Sequence, residues 1–327
     1  MSSKRCCERR PARERKAVLK NKLRGEDFLT LVPLSGEEIE SLLEEAVRLK
    51  GEGTKGYKPL AGKVVGLIFE KPSTRTRVSF EVAVHRLGGS ALALTDRDLQ
   101  LGRGETIEDT GRVLSRYLDG LVVRTFGQDR LESLAEASSV PVINALTDEC
   151  HPCQALADMM TVLEYKGAFR GLRLAYLGDG NNVAHSLMRA GTKLGMDIVV
   201  ATPEGHGPLE AITSECKVYA DASGGSLVVG NDPAQASAGA DVIYTDVWVS
   251  MGQPDEKRDA LGHFASFRLD EEMLDRASDD VMVMHCLPAH RGEEITAEVL
   301  DGSHSAVWDQ AENRLHAQVA LLGLIFG

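Results

Sequence analysis

Residues 173–202 decide the fold, and they read RLAYLGDGNNVAHSLMRAGTKLGMDIVVAT. The run at each end is short and apolar, as in a buried strand, and residues 183–194 between them have the length and the apolar spacing of a helix. A strand, a helix and a second strand in this order predict a βαβ unit, whose two strands lie parallel in one sheet.

The same alternation extends outward from this unit in both directions. Short apolar runs predict further strands at residues 63–69, 121–124, 140–144, 241–245 and 281–285. Longer amphipathic segments predict helices at residues 35–50, 74–87, 130–137, 151–164 and 313–324. Alternating strands and helices predict an α/β fold, in which helices cover both faces of parallel central sheets.

A chain of 327 residues exceeds the usual size of a single core, so we expect two doubly wound domains. The strand–helix pattern restarts near residues 167–170, which places the domain boundary there. We therefore predict a basic, disordered tail over residues 1–22, a first domain over 23–166 and a second domain over 167–312. Residues 313–327 are predicted to form a C-terminal helix that packs back on the first domain.

The charge balance excludes several classes of partner. Lys and Arg number 37 against 49 Asp and Glu, a formal net charge of -12, which disfavours nucleic acid and anionic lipid surfaces. The sequence holds no run of about 18 apolar residues, and its basic first residues lack the apolar core of a secretory signal. We therefore expect a protein of the cytoplasm. Positive groups that bind an anionic substrate must be gathered locally in a site.

The cysteines offer a further chemical possibility. Without a secretory signal, all six are expected to be reduced thiols. Cys150 and Cys153 have the spacing of a zinc or redox pair, but no second pair of zinc ligands accompanies them. We expect neither a metal site nor an organic cofactor.

A dense set of anion-binding groups stands at the turn between a predicted strand and a predicted helix. The turn reads Lys71-Pro72-Ser73-Thr74-Arg75-Thr76-Arg77. Helix N-termini bind phosphate through free N–H groups and the positive end of the helix dipole, and hydroxyl and guanidinium groups add donors. A helix cap with exposed arginines explains one Ser-Thr pair, but not this density of donors. The motif predicts a phosphate site, without the glycine pattern of a nucleotide P-loop.

Three further motifs follow predicted strands, where α/β proteins place ligand groups. His151-Pro152-Cys153-Gln154 sets a histidine and a glutamine on one helical face, suited to the oxygen and the NH2 of a carbamoyl group. The motif DVWVSMG at 246–252 offers a carboxylate for an amino group, and HCLPAHRG stands at 285–292. Singly, each has a plainer explanation: a buried histidine in a capped helix, core Trp and Met side chains, or a strand end broken by proline.

Together and in this order, the four motifs resemble those of the aspartate/ornithine carbamoyltransferase family, over about residues 23–326. Ser-Thr-Arg-Thr-Arg is shared by the aspartate-using and ornithine-using branches, whereas the other three motifs resemble the ornithine branch. The resemblance implies that carbamoyl phosphate and L-ornithine react to give L-citrulline and phosphate. It also implies a homo-oligomer, a trimer or a multiple of trimers, with active sites shared between subunits.

The resemblance assigns a role to each matching position. The positions that match the carbamoyl phosphate site are Ser73, Thr74, Arg75, Thr76, Gln100, Arg124, His151, Gln154, Cys286, Leu287 and Arg314. Gln100 among them matches a residue that reaches across from a neighbouring subunit. The positions that match the ornithine site are Asn182, Asp246, Ser250 and Met251. The catalytic set is Arg75, Arg124, His151, Asp246 and Cys286.

A mechanism follows as a hypothesis. The attacking amine resembles that of lysine, with an ordinary pKa near 10.4, so the site must favour loss of its proton. Asp246 and Cys286 would position the amine, and phosphate or a nearby group would accept the proton. His151 and the arginines would stabilise the oxyanion that develops as the carbonyl carbon is attacked.

Three alternatives stay open at this point. Leu177-Gly178-Asp179-Gly180 begins like a dinucleotide fingerprint and raises an NAD-dependent oxidoreductase, although Val183 occupies the third glycine position. A non-catalytic relative would usually lose site residues, and every matched position here is filled. A carbamoyltransferase for another amine, such as putrescine or an acylated ornithine, is the nearest alternative.

Overall fold

The computed structural model describes residues 11–95, 99, 104–248 and 262–327. Its first sheet belongs to the amino-terminal half and consists of β1 (Val64–Phe69), β2 (Ser90–Thr95), β3 (Gly120–Arg124) and β4 (Val142–Leu146), all parallel, in the order β2-β1-β3-β4. The helices of this half are α1 (Ala12–Leu23), α2 (Gly36–Glu52), α3 (Thr74–Arg86), α4 (Ile107–Leu114), α5 (Gln128–Ala137) and α6 (Pro152–Lys166).

The second sheet follows α6. It consists of β5 (Arg173–Leu177), β6 (Asp197–Ala201), β7 (Ser226–Gly230), β8 (Val242–Thr245) and β9 (Met282–His285), parallel in the order β7-β6-β5-β8-β9. The remaining helices are α7 (Asn182–Lys193), α8 (Glu210–Ser223), α9 (Pro233–Ser237), α10 (Glu271–Leu274), α11 (Ala297–Leu300) and α12 (Val307–Phe326). The predicted fold class, two α/β units on parallel sheets, is confirmed.

Each sheet has a topological switch point. In the first sheet it lies between β1 and β3, and in the second between β5 and β8. Loops that leave the carboxyl ends of two such strands diverge and open a crevice, and α/β proteins bind ligands there. Three of the four sequence motifs, 71–77, 246–252 and 285–292, and the predicted site residues Arg124 and Asn182 lie at or just after carboxyl strand ends.

The C-terminal helix α12 packs on the first half of the chain, as predicted. The Tyr57 hydroxyl donates to the Gly323 carbonyl at 2.9 Å, and Lys50 Nζ donates to Asn313 Oδ1 at 2.8 Å. The helix begins at Val307, before the predicted residue 313, because Val307 and Gln310 already face the core. Among the helices of the described residues, none is both long and apolar enough to cross a membrane.

The prediction of a disordered tail over residues 1–22 is wrong for its second half. Residues 12–22 belong to α1, and Leu19 is fully buried against the core. Arg15 Nη2 donates to Glu44 Oε1 at 2.8 Å, and Lys16 Nζ lies 2.8 Å from Glu45 Oε2. Two of the charges in this segment, Arg15 and Lys16, therefore have partners on α2, and local composition does not reveal such partners.

Candidate active site

One cavity is lined by residues that follow strands of both sheets. Its volume is about 90 Å³. Predicted site residues supply most of its wall: Ser73, Arg75, Thr76, Arg124, His151, Asn182, Asp246, Cys286, Leu287 and Arg314. The two switch points and the C-terminal helix thus bring together residues that lie up to 241 positions apart, from Ser73 to Arg314.

Two of the predicted residues that the structure describes, Gln154 and Thr74, are not part of that wall. Gln154 is buried behind it, where its Oε1 accepts from Arg314 and its Nε2 donates to Asp158 Oδ1 at 2.7 Å. Thr74 opens α3 with its side chain exposed, in a neighbouring groove. Gln100, Ser250 and Met251 lie outside the described residues.

The anion-binding side of the cavity begins where β1 ends. Ser73 caps α3, since its Oγ accepts from the Thr76 N–H at 3.4 Å. Arg75 stands in the first turn of this helix, Arg124 is the last residue of β3, and Arg314 reaches in from α12. Arg314 Nη2 donates to Thr76 Oγ1 at 2.5 Å, which ties α12 to the phosphate-binding turn.

Three guanidinium groups thus share one small cavity without a paired carboxylate among the described residues. Burial, together with the charges of Arg314 and Arg75, lowers the pKa of Arg124 to about 10, so Arg124 stays cationic at neutral pH. Burial also lowers the pKa of Arg314. Within the described part of the chain, the Nε atoms of Arg124 and Arg314 have no hydrogen-bond partner. Buried positive charge of this kind is costly until an anion binds.

His151 lies between the two sides of the cavity. It precedes α6, and its backbone N–H donates to Ser186 Oγ at 2.8 Å. Burial and the charges of Arg314 and Arg124 lower the pKa of His151 well below its ordinary value, so the imidazole is neutral at pH 7. Its Nδ1 is buried and has no partner among the described residues. A neutral imidazole with a free ring nitrogen is suited to a polar, uncharged group such as a carbonyl.

The opposite side is a hydrogen-bond network around Asp246, just after β8. Asp246 Oδ1 accepts from Cys286 Sγ at 2.9 Å and from the Val247 N–H at 2.8 Å, and Oδ2 accepts from Asn181 Nδ2 at 3.0 Å. Desolvation and the Asp246 carboxylate raise the pKa of Cys286 well above its ordinary value. Cys286 is therefore a protonated thiol, which donates to Asp246. The site can therefore bind an amine beside Asp246, and Cys286 does not act as a thiolate nucleophile.

Sequence reasoning missed some of the residues in and behind this wall. Lys71 and Asp148 both line the cavity and form an ion pair with each other. Lys71 belongs to the phosphate motif 71–77, and its positive charge could have identified it as a site residue. Asn181 precedes Asn182, and it is Asn181 that contacts Asp246, whereas Asn182 Nδ2 donates to the Thr147 carbonyl at 2.5 Å. Which of two adjacent asparagines faces the carboxylate depends on the turn geometry.

The turn between β5 and α7 argues against a dinucleotide site. Asn181 Oδ1 accepts from the Val183 and Ala184 N–H groups at 2.9 Å and 3.2 Å, so the helix N-terminus is already capped. A Cβ on Gly180 would lie 2.3 Å from Pro208 N, which shows that the 206–208 backbone covers the turn. A pyrophosphate needs these N–H groups and this space.

The two cysteines of the C-x-x-C spacing have separate partners. Cys150 Sγ accepts from Arg189 Nη1 at 2.9 Å, and Cys153 Sγ donates to the Asn144 carbonyl at 3.3 Å. Both are free thiols, and burial raises the pKa of each to about 12. Neither thiol is activated as a redox group at neutral pH.

Comparison with known proteins agrees with this geometry. The aspartate/ornithine carbamoyltransferase carbamoyl-P binding domain matches residues 26–164, and the Asp/Orn binding domain of the same family matches residues 170–325. An ornithine carbamoyltransferase of Anoxybacillus flavithermus is 57% identical over 302 residues, 92% of this chain and 96% of the relative. The anabolic ornithine carbamoyltransferase of Pyrococcus furiosus is 54% identical over 307 residues, 93% of this chain and 98% of the relative.

Solved structures show the same relationship in three dimensions. The ornithine carbamoyltransferase structure from Pyrococcus furiosus superposes with a TM-score of 0.90 at 54% identity, covering 93% of this chain and 98% of that one. The structure from Gloeobacter violaceus gives a TM-score of 0.85 at 46% identity, covering 93% and 99%. Because family models match both halves and the identity extends over nearly the whole chain, this protein is a member of the aspartate/ornithine carbamoyltransferase family.

Proposed function

We propose that this chain transfers the carbamoyl group of carbamoyl phosphate to the side-chain amine of L-ornithine, giving L-citrulline and phosphate. One observation carries the proposal: three arginines with no carboxylate partner among the described residues, and a carboxylate–thiol pair, line a single small cavity with a neutral histidine between them. The ornithine carbamoyltransferases that are 51–57% identical to this chain support ornithine as the acceptor.

The arginine wall is the proposed phosphate side. Ser73, Thr74, Arg75 and Thr76 at the start of α3, with Arg124 and Arg314, would bind the phosphate oxygens of carbamoyl phosphate. His151 would donate to the carbonyl oxygen as it gains negative charge. Gln154 was assigned to the carbamoyl NH2, but it lies behind the wall with its Oε1 on Arg314, so it would act on carbamoyl phosphate through Arg314.

The amine lone pair would attack the carbonyl carbon, the bond from carbon to the bridging oxygen would break, and phosphate would leave with the electron pair. Asp246, Cys286, Leu287 and Asn182, with Ser250 and Met251, would hold ornithine so that its amine faces that carbon. The three guanidinium charges disfavour an ammonium group in the cavity, which assists loss of its proton to phosphate or a nearby group. Holding both substrates at attack distance contributes roughly 7–11 kcal/mol in favourable cases.

The choice of amine is tested by supplying carbamoyl phosphate with L-ornithine, putrescine and an acylated ornithine in parallel. We expect citrulline and stoichiometric phosphate with ornithine, and at most about 1% of that rate with the other two amines, since polar groups built for a charged ligand group discriminate strongly. Faster carbamoylation of putrescine or the acylated ornithine would replace ornithine as the acceptor. Phosphate release without any carbamoylated amine would refute the transfer itself.

Domain organisation and assembly belong to the same proposal. We assign carbamoyl phosphate binding to residues 23–166 and ornithine binding to 167–312. The two family models match residues 26–164 and 170–325, and the second range includes most of the C-terminal helix. A homotrimer, or a multiple of trimers, in which Gln100 reaches a neighbouring site is proposed from the resemblance, together with a cytoplasmic location. Sedimentation of the purified chain tests the assembly, and a monomer with full activity would contradict the shared site.

A further inference from the structure

Behind both walls of the cavity lies a buried carboxylate, Asp158 on α6, that has no role in the assignments above. Its side chain is fully buried. Oδ1 accepts from Gln154 Nε2 and from Gln310 Nε2, both at 2.7 Å, and Oδ2 accepts from the Tyr244 hydroxyl at 3.3 Å. A buried carboxylate that accepts three hydrogen bonds is held in one orientation, and it also fixes the orientation of the groups that donate to it.

Because Asp158 Oδ1 accepts from both glutamine NH2 groups, whether or not Oδ2 carries a proton, it decides which way each glutamine amide faces. Gln154 must turn its NH2 to Asp158, so its Oε1 faces Arg314 and accepts from Nη1. Arg314 then also holds Thr76 Oγ1 through Nη2 at 2.5 Å. A reversed amide at position 154 would set an NH2 group against the guanidinium.

The amide of Gln310 is oriented by Asp158 in the same way, and it contacts the amine side of the cavity. Gln310 Nε2 donates to Asp158 and to the Tyr244 hydroxyl, at 2.7 Å and 3.1 Å. Its Oε1 therefore faces β9 and accepts from the His285 N–H at 2.9 Å. His285 directly precedes Cys286, the thiol that donates to Asp246.

We propose that Asp158 is a positioning residue for the reaction: through two oppositely directed glutamine amides it orients Arg314 on the phosphate side and the end of β9 on the amine side. The inference rests on the proposed function, because it assumes that Arg314 binds phosphate and that Cys286 helps to position the amine. Removing the acceptor frees both amides to reverse, and both walls lose their alignment.

Two variants test the proposal. Asp158→Leu removes both acceptor oxygens while keeping a side chain that branches at Cγ, and we expect the KM for carbamoyl phosphate and the Kd for inorganic phosphate to rise about 30-fold. Asp158→Asn keeps one acceptor oxygen, and we expect a rise of about fivefold. In both variants kcat should fall as well, because the end of β9 shifts together with Arg314.

The matched control is Thr161→Val, one turn further along α6. Thr161 Oγ1 accepts from Asn313 Nδ2 at 3.0 Å, so this change removes a buried hydrogen bond between the same helices, α6 and α12, without touching Arg314. We expect a lower melting temperature and a KM within about twofold of the unmodified protein, since only packing stability is lost.

The outcomes separate the inference from the proposed function. If the unmodified protein binds phosphate but makes no citrulline, the proposed function fails while phosphate binding by the variants still tests Asp158. Unchanged KM and kcat in a folded Asp158→Leu protein overturn the inference. If that variant does not fold, unchanged constants in Asp158→Asn overturn it, as does an equal KM rise in Thr161→Val, which would indicate a general packing effect.

Discussion

The two walls of the cavity differ in how completely their polar groups are satisfied. On the amine side, Asp246 accepts three hydrogen bonds, from Cys286, Val247 and Asn181. On the phosphate side, Arg124 and Arg314 are buried cations whose Nε atoms have no partner in the described part of the chain. Within the described residues, each oxygen of this carboxylate therefore has at least one donor, and the network fixes its direction. The phosphate wall keeps a charge imbalance that only a bound anion relieves.

Of the substitutions that test this difference between the walls, the largest loss of activity is expected at Arg124. Arg124→Met keeps the volume and removes the charge, and we expect kcat/KM to fall by about 1000-fold or more, since a donor to the developing charge is lost. Because the lost cation is buried and has no carboxylate partner in the part of the chain that the structure describes, the melting temperature of the unliganded protein should stay the same or rise. Steady-state kinetics and calorimetry measure the two effects.

Arg112→Met provides the control for that change. Arg112 is an exposed arginine on α4, paired with Asp109 at 2.8 Å. We expect both activity and melting temperature close to the unmodified values, because exposed ion pairs contribute little. A clear fall in melting temperature for Arg124→Met would mean that Arg124 is a structural residue.

Asp246 tests the opposite wall. Asp246→Asn keeps the shape but cannot accept from all its neighbours, so we expect kcat/KM for ornithine to fall by about 100-fold and the unfolding free energy to fall by about 1–3 kcal/mol. The Kd for inorganic phosphate should change little, because the arginine wall is intact. Titration calorimetry and urea unfolding give both numbers. The contrast between the walls disappears if phosphate binding weakens as much as ornithine use.

A smaller effect is expected at Cys286. Its raised pKa means a neutral thiol that only donates to Asp246, so Cys286→Ser should retain activity within about tenfold of the unmodified enzyme, because a hydroxyl donates in its place. Cys286→Ala, which removes the donor, should be the weaker enzyme of the two. Complete loss of activity in the serine variant, with folding intact, would instead indicate a covalent role for the thiol.

Asp158, which lies behind both walls, should make the unfolding free energy depend on pH. Burial raises the pKa of Asp158 from 3.8 to about 7, so the folded chain binds this proton more tightly than the unfolded chain. Its contribution to the unfolding free energy is therefore greatest below about pH 4 and is lost as the pH rises to about 7. From about pH 5 to about pH 8, the unmodified protein should lose about 2 kcal/mol relative to Asp158→Asn. Urea unfolding at both pH values measures the difference, and parallel curves would contradict the raised pKa.

Periodicity predicted the strands that are covered on both faces. Residues 173–177 were predicted as a strand and form β5 with the same bounds. The edge strands β2 and β7 were missed. Their apolar runs are short and partly exposed, with Leu92, Val228 and Val229 at the surface, so they differ from the buried runs of the strands that were predicted.

For the site, residue type and order determined the chemistry: the hydroxyl- and arginine-rich turn after β1, the histidine before α6, the carboxylate after β8 and the thiol after β9 all stand in local motifs. Tertiary structure alone decided the protonation of Cys286, the turning of Gln154 away from the cavity and the junction at Asp158. Motifs are local, whereas a side chain's charge state and direction depend on neighbours that the fold brings from more than 100 positions away, as with Asp158 and Gln310.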